Sequence, residues 1–293
     1  MSYKDIATPS RTREIMEQYG LSVKKSLGQN FLVDVNILDK IMDVSTVDKH
    51  TNVIEIGPGI GALTEQIARN AKHVVAFEID NRLIPILEDT LSPYNNVSIV
   101  HGDILEVELK ETLQQYIDLN ERLLVIANLP YYITTPIIMK LLEADIQIDG
   151  FTMMMQKEVA QRMTASPNTK AYGSLTVAIA YHCHAEIGFI VPKTVFNPPP
   201  NIDSAILVLK KRSQPLVQVE DEEHFFTLVR NSFVQRRKTL WNNLKVYMDS
   251  DEKKKTLEKA LEEVGISPSV RAEALDIEAF AKLSDAMVKN NIK

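Results

Sequence analysis

Val53-Ile54-Glu55-Ile56-Gly57-Pro58-Gly59-Ile60-Gly61 reads as a short apolar strand that runs into a tight glycine turn. Ala62 to Asn70 follows as a helix with apolar positions at Leu63 and Ile67. A second strand, Val74-Val75-Ala76-Phe77, then ends in Glu78-Ile79-Asp80. Strand, glycine turn, helix, strand and acid in this order describe a βαβ unit of a mostly parallel sheet. Its glycines let backbone approach a ligand, and its acid can accept from ribose hydroxyls. The spacing G-x-G-x-G lacks the two-residue gap of the dinucleotide fingerprint, and Pro58 removes an N–H that would have faced a pyrophosphate. The turn therefore suits a nucleoside better than a diphosphate; a purely structural glycine turn is the alternative.

Two further units extend the pattern. A helix from Arg82 to Leu91 leads to the strand Val97-Ser98-Ile99-Val100 and then Asp103. Leu123-Leu124-Val125-Ile126-Ala127 is a continuous aliphatic run of the kind buried in parallel sheets, and it ends in Asn128-Leu129-Pro130-Tyr131-Tyr132. Glu78, Asp103 and Asn128 thus end three successive strands that would lie side by side, at the edge where α/β sheets bind ligands. An amide, a backbone carbonyl kept from ladder pairing by Pro130, and an aromatic ring suit a flat, amine-bearing base. Taken singly, each could be a strand terminus or a helix cap. A helix Pro136 to Leu142, a strand Phe151 to Met155 and a helix Glu158 to Met163 come next, with Lys157 and Arg162 as basic candidates. Val195 to Ser204, with Pro198-Pro199-Pro200, reads as a stiff loop that holds Phe196 against a substrate or serves as a connector before the last strand, Ala205 to Leu209.

Upstream, Arg11 to Gln18 is a short helix closed by Gly20, and Lys24-Lys25 precede Gln29-Asn30-Phe31-Leu32, whose mixed amide and apolar groups fit a small-molecule pocket or a helix entry capped by Asp34. Downstream, Lys210 to Pro215 is a linker, and the pattern beyond it is helical. One helix is expected from Asp221 to Leu244, with Phe226, Val229, Phe233, Leu240 and Leu244 as its apolar stripe. Between His224 and Met248 stand Arg230, Arg236, Arg237, Lys238 and Lys245 with no acid, in a chain whose net charge is −6. Such a local excess is the footprint expected of phosphate contacts; a solvated helix face is the competing reading.

Composition narrows the class. The 293 residues are 45% hydrophobic and 25% charged, ordinary for a globular protein large enough for one sizeable domain and a smaller one. One cysteine excludes an intrachain disulfide, and Met1 to Asp5 shows no signal-peptide pattern, so a reducing cytoplasm is the expected setting. No apolar run spans a bilayer, which leaves no membrane partner. His182-Cys183-His184 looks metal-like, but on a strand Cys183 would point away from both histidines, and no metal is expected.

Leu27-Gly28-Gln29-Asn30-Phe31-Leu32, Glu55 to Gly61, Asn128-Leu129-Pro130-Tyr131, and Phe196-Asn197-Pro198-Pro199-Pro200 with Asp203-Ser204 occur in one order. Together they closely resemble the rRNA adenine N6-dimethyltransferase family, in particular its bacterial small-subunit type, over nearly the whole chain. The resemblance implies an α/β, Rossmann-like class I methyltransferase fold with a mostly parallel seven-stranded sheet over residues 1–212, and a smaller all-α rRNA-binding domain over 213–293. It implies S-adenosylmethionine as cofactor, contacted at Asn30, Leu32, Gly57, Gly59, Glu78, Asp103 and Asn128. The catalytic group would be Asn128, Leu129, Pro130, Tyr131 and Phe196. RNA contacts are expected at Lys24, Lys25, Lys157, Arg162, Arg230, Arg236, Arg237 and Lys238. The implied reaction is N6,N6-dimethylation of two adjacent adenosines in the 3′-terminal hairpin of 16S rRNA, within the small ribosomal subunit, by a monomer active in subunit biogenesis. The alternatives are a large-subunit methylase of the macrolide-resistance type and a non-enzymatic RNA-binding assembly factor. A nicotinamide oxidoreductase is disfavoured by the glycine spacing.

Overall fold

The structure, a computed structural model, describes residues 4–22, 24, 29–129 and 133–292. It divides into two compact units, Met1–Ala160 with Glu186–Lys211, and Gln161–Ala185 with Arg212–Lys293. The single boundary expected after residue 212 thus lies next to one passage between the units, at 211/212. Residues 161–185, expected in the first domain, cluster with the helical unit instead.

In chain order the first unit begins with α1 (Pro9–Gln18), β1 (Phe31–Leu32), α2 (Val35–Ser45), β2 (Asn52–Ile56), α3 (Ala62–Asn70), β3 (His73–Glu78), α4 (Ile84–Thr90), β4 (Val97–His101), α5 (Leu109–Leu113), β5 (Leu123–Asn128), α6 (Thr134–Glu143) and β6 (Gly150–Gln156). There follow α7 (Lys157–Met163), α8 (Ser174–His182), β7 (Cys183–Val191), β8 (Phe196–Asn197) and β9 (Ser204–Lys211). Seven strands form one sheet in the order β4-β3-β2-β5-β6-β9-β7. β4, β3, β2, β5 and β6 run parallel to one another, and β9 pairs antiparallel with β6. All five residues of β2 are buried, the polar Asn52 and Glu55 along with Val53, Ile54 and Ile56, as in a strand covered on both faces. From β2 the chain moves outward to β3 and β4, then returns to pair β5 against the other side of β2. This reversal opens a crevice at the carboxyl ends of the strands.

Two local signals behave as read. Asp34 caps α2 by accepting from Asn36 N at 2.9 Å, and Gly20 closes α1 at φ 56°. Three readings are corrected. Phe196 sits not on a free loop but in β8, paired with β1 in a two-stranded antiparallel ladder (Leu32 opposite Phe196), and its ring is buried. His182-Cys183-His184 does not share a strand. His182 ends α8, and Cys183 is buried at the start of β7.

The third correction concerns the second unit, which continues with α9 (Glu222–Ser232), α10 (Leu240–Leu244), α11 (Asp251–Glu263) and α12 (Ile277–Lys289). Its core is built from Tyr172, Tyr181, Phe225, Leu257 and Phe280 among others. The single helix expected over 221–244 is broken into α9 and α10. Asn243, buried at the junction, donates to the carbonyls of Ser232 (2.9 Å) and Gln235 (3.2 Å) and accepts from Gln235 N (3.1 Å). Those contacts satisfy backbone groups that a helix end leaves open, and Thr239 caps α10. Arg236, Arg237 and Lys238 therefore stand on an exposed turn between helices.

Candidate active site

The glycine turn leaves β2 with Gly57 and Gly59 at φ 69° and 63°, a region that side-chain-bearing residues rarely adopt. A Cβ on Gly59 would stand 3.2 Å from the Phe31 ring, so β1 closes directly over the turn. Between them lies a cavity walled by Asn30, Leu32, Gly57, Gly59, Glu78, Asp103, Asn128 and Leu129. Five separate stretches of the chain meet there: the segment before α2, the βαβ turn, and the ends of β3, β4 and β5. Pro130, Tyr131 and Lys25 lie outside the described residues.

Glu78, at the end of β3, is 5% exposed. Its Oε1 accepts from Asp80 N at 2.8 Å and its Oε2 from Gly59 N at 3.2 Å. Burial raises its pKa above the ordinary glutamate value, while the backbone N–H donors oppose that shift. Two accepted bonds leave a carboxylate with room for about two more, enough for a vicinal diol. Asp103 is half-buried, and its Oδ1 takes Leu105 N at 2.9 Å. Asn128 is the last residue of β5, half-buried, in register with Met154 of β6. Leu129 N is spent on the Met154 carbonyl at 3.1 Å, which fixes the backbone immediately after Asn128.

Among the described residues, Phe196 does not line this cavity; the aromatic rings that do are Phe31 and Phe77. Lys24 pairs with Asp80 at 3.4 Å. Lys157 opens α7 and is exposed, and Arg162 is exposed on the same helix. Arg230 donates to Thr227 Oγ1 at 2.9 Å, and Arg236 bonds the Lys170 carbonyl and pairs with Glu273 at 3.5 Å. No helix among the described residues is long and apolar enough to cross a membrane, and no group of three or more potential ligands there could hold a metal ion.

A match to the family model described as "Ribosomal RNA adenine dimethylase" spans residues 20–289. The chain belongs to that family. It is 58% identical over 288 residues to the ribosomal RNA small subunit methyltransferase A of Geobacillus thermodenitrificans, covering 98% of each chain. Its fold is similar to a dimethyladenosine transferase from Plasmodium falciparum, with a TM-score of 0.76 at 28% identity over 89% of this chain and 98% of that one. It is also similar to the 23S rRNA methyltransferase ErmE, with a TM-score of 0.66 at 27% identity over 88% and 100%. As a ribosomal RNA adenine dimethylase the chain is an rRNA methyltransferase with a Rossmann-like α/β fold and a helical carboxyl-terminal portion.

One member of the cavity wall escaped the sequence reading. Glu55 of this dimethylase is 1% exposed, and its Oε2 has no hydrogen-bond partner among the described residues. Burial pushes its pKa up to about 8, and the nearby Glu78 charge adds to the rise. A glutamate placed in a strand interior gives no sign of this in one sequence, because the burial comes from neighbouring elements. The unfolded chain releases this proton near 4.5 and the native chain near 8. Between those values the native state binds more protons, so Glu55 lowers stability progressively as pH rises from about 4.5 to about 8. Glu55→Gln therefore raises Tm relative to the wild type at pH 8 by more than at pH 5. Thermal unfolding at both values checks this, and equal shifts would contradict it.

Proposed function

We propose that the cavity binds S-adenosylmethionine and that the protein dimethylates, at N6, two adjacent adenosines in the 3′-terminal hairpin of small-subunit rRNA, acting in the cytoplasm during subunit assembly. The observation that carries this reading is the meeting of Glu78, Asp103 and Asn128 with the glycine turn around one cavity. The small-subunit substrate is favoured over the large-subunit one by identity, 58% to a small-subunit methyltransferase against 27% to ErmE.

The residues present fit the cofactor. Glu78 would accept from its ribose hydroxyls with the oxygen capacity left by Gly59 and Asp80. Asp103 would accept from its adenine amine, and Gly57 and Gly59 would let the backbone lie close to it. Asn30 and Leu32 would wall the far side. The cofactor supplies an electrophilic methyl group on a sulfonium.

The rest falls to the chain. Adenine N6 is a weak nucleophile because its lone pair is delocalised into the ring. Hydrogen bonds accepted from the amine by the Asn128 side chain and the Leu129 carbonyl would draw the nitrogen toward tetrahedral geometry and aim its lone pair. Tyr131 would stack on a base turned out of its helix, with Pro130 keeping the Leu129 carbonyl out of the ladder. Catalysis here is mainly positioning, which can supply about 7–11 kcal/mol. The helical unit would contact rRNA phosphates through Arg162, Arg230, Arg236, Arg237 and Lys238, and the first unit through Lys24, Lys25 and Lys157.

Glu78→Gln keeps size and removes charge, so binding of S-adenosylhomocysteine weakens by about 10–100-fold, the range for a hydrogen bond to an ionised acceptor of about 1.5–3 kcal/mol. Calorimetric titration measures it; an unchanged Kd would remove Glu78 from the site. The function itself is tested by labelled methyl transfer to small subunits lacking the modification, with large subunits in parallel. The expected product is N6,N6-dimethyladenosine in small-subunit rRNA alone, and label in large-subunit rRNA would overturn the assignment.

A further inference from the structure

Asp80 follows the ribose-site acid by two residues, and its side chain is wholly shielded from solvent. A buried carboxylate must be compensated. Arg82 does part of this, with Nε on Oδ1 at 3.0 Å and Nη2 on Oδ2 at 2.6 Å. The remaining contacts come from the amino-terminal segment. Gln29 Nε2 donates to Oδ2 at 3.0 Å and Lys24 Nζ stands 3.4 Å from Oδ1. Arg82 also reaches back, donating to the Ser22 carbonyl at 3.2 Å, and Lys24 N donates to Gln29 Oε1 at 2.9 Å. The guanidinium and the other donors hold the Asp80 pKa well below the usual carboxylate range, so the charge persists at any working pH.

Ser22, Lys24 and Gln29 are thus tied to one loop, the one joining β3 to α4. The tie ends where the cavity wall begins. Gln29 itself lines the cavity, followed by Asn30, Phe31 and Leu32, and the Phe31 ring presses on Gly59. From this arrangement we infer that Asp80 is a positioning residue for the bound cofactor: by anchoring Ser22, Lys24 and Gln29 it holds the Gln29–Leu32 wall against the glycine turn. The inference rests on the cofactor reading above. It also separates two roles within one loop, since Glu78 would touch the cofactor and Asp80 would act only through the wall it fastens.

Asp80→Asn keeps the volume and the backbone N–H that serves Glu78, but removes the charge that Lys24 and Arg82 share. Gln29→Leu breaks the tether from the other side without disturbing the Asp80–Arg82 pair; because Gln29 itself lines the cavity, this variant serves through hydrogen exchange if Asp80→Asn does not fold. Two measurements on the full-length protein test the role. Hydrogen exchange without ligand should speed up on amides of residues 29–32 in either variant. Calorimetric titration with S-adenosylhomocysteine should show Kd raised by about tenfold. In methyl transfer by Asp80→Asn the KM for the cofactor should rise similarly while kcat at saturating cofactor stays within about twofold. Exchange and Kd equal to wild type in both variants would overturn the positioning role alone. Failure of the wild-type protein to bind S-adenosylhomocysteine would overturn the cofactor reading, and the positioning role with it.

Discussion

Asn128→Ala lowers kcat for methyl transfer by at least about 10²-fold while changing S-adenosylhomocysteine affinity by no more than about tenfold. The asymmetry follows from where Asn128 stands. It ends β5, the strand beside β2 at the point where strand order reverses, and the next backbone N–H is committed to Met154. Its side chain is therefore carried on backbone held in register with Met154 of β6. On the proposed mechanism, removing the carboxamide would take away one of two acceptors for the target amine, leaving the nitrogen neither pyramidalised nor aimed; misplacement by about 1 Å alone is worth about 10²-fold. On the proposed reading the cofactor would keep Glu78, Asp103 and the glycine turn, all on other elements. Single-turnover transfer of labelled methyl, with a binding titration beside it, separates the two effects. A variant that turns over within threefold of wild type would sink the catalytic role.

Replacing Arg236, Arg237 and Lys238 together by alanine produces the second large effect, on RNA rather than on chemistry. These residues stand on a turn fixed from beneath by Asn243, with all three exposed. Arg236 is partly committed to Glu273 and the Lys170 carbonyl, whereas Arg237 and Lys238 make no ion pair among the described residues. Each phosphate that the protein no longer neutralises reduces the salt slope of log Kobs by about 0.7–0.9, so the triple variant loses about 2 units of slope and binds rRNA at least about tenfold more weakly near physiological salt. Cofactor affinity is unchanged. Filter binding across a salt series measures this; a parallel displacement with the same slope would mean that the turn does not touch phosphates.

Much of the first unit was legible because its signals are local. β2, α3 and β3 announce themselves through an aliphatic run, glycines at positive φ and a strand-terminal acid. Glu78, Asp103 and Asn128 are expected on three strands lying side by side; β2 instead stands between β3 and β5, and the three residues meet because all four parallel strands end at one edge. What stayed hidden depends on distant partners. α8, Ser174–His182, is apolar on nearly every side, so it shows no helical stripe to read. The break between α9 and α10 is held by Asn243, a residue beyond the turn it organises. The sequence places Phe196 in a stiff loop because its strand partner, Leu32, lies far away in sequence. Asp80 and Glu55 illustrate the same point for charge. Asp80 takes donors from Lys24 and Gln29, far away in sequence, as well as from Arg82, and Glu55 is buried where several elements meet at the cavity wall; neither environment is written in the adjacent residues.

The central claim is that one cavity at the reversal of strand order holds the methyl donor and presents the base to it. A crystal structure of the protein with S-adenosylhomocysteine tests it most directly. The expected result is ribose hydroxyls within hydrogen-bond distance of the Glu78 carboxylate, the adenine amine on Asp103, and the sulfur on the side of the cavity where Asn128 ends β5. Ligand density elsewhere, with the Glu78–Asp103–Asn128 cavity empty, would contradict it.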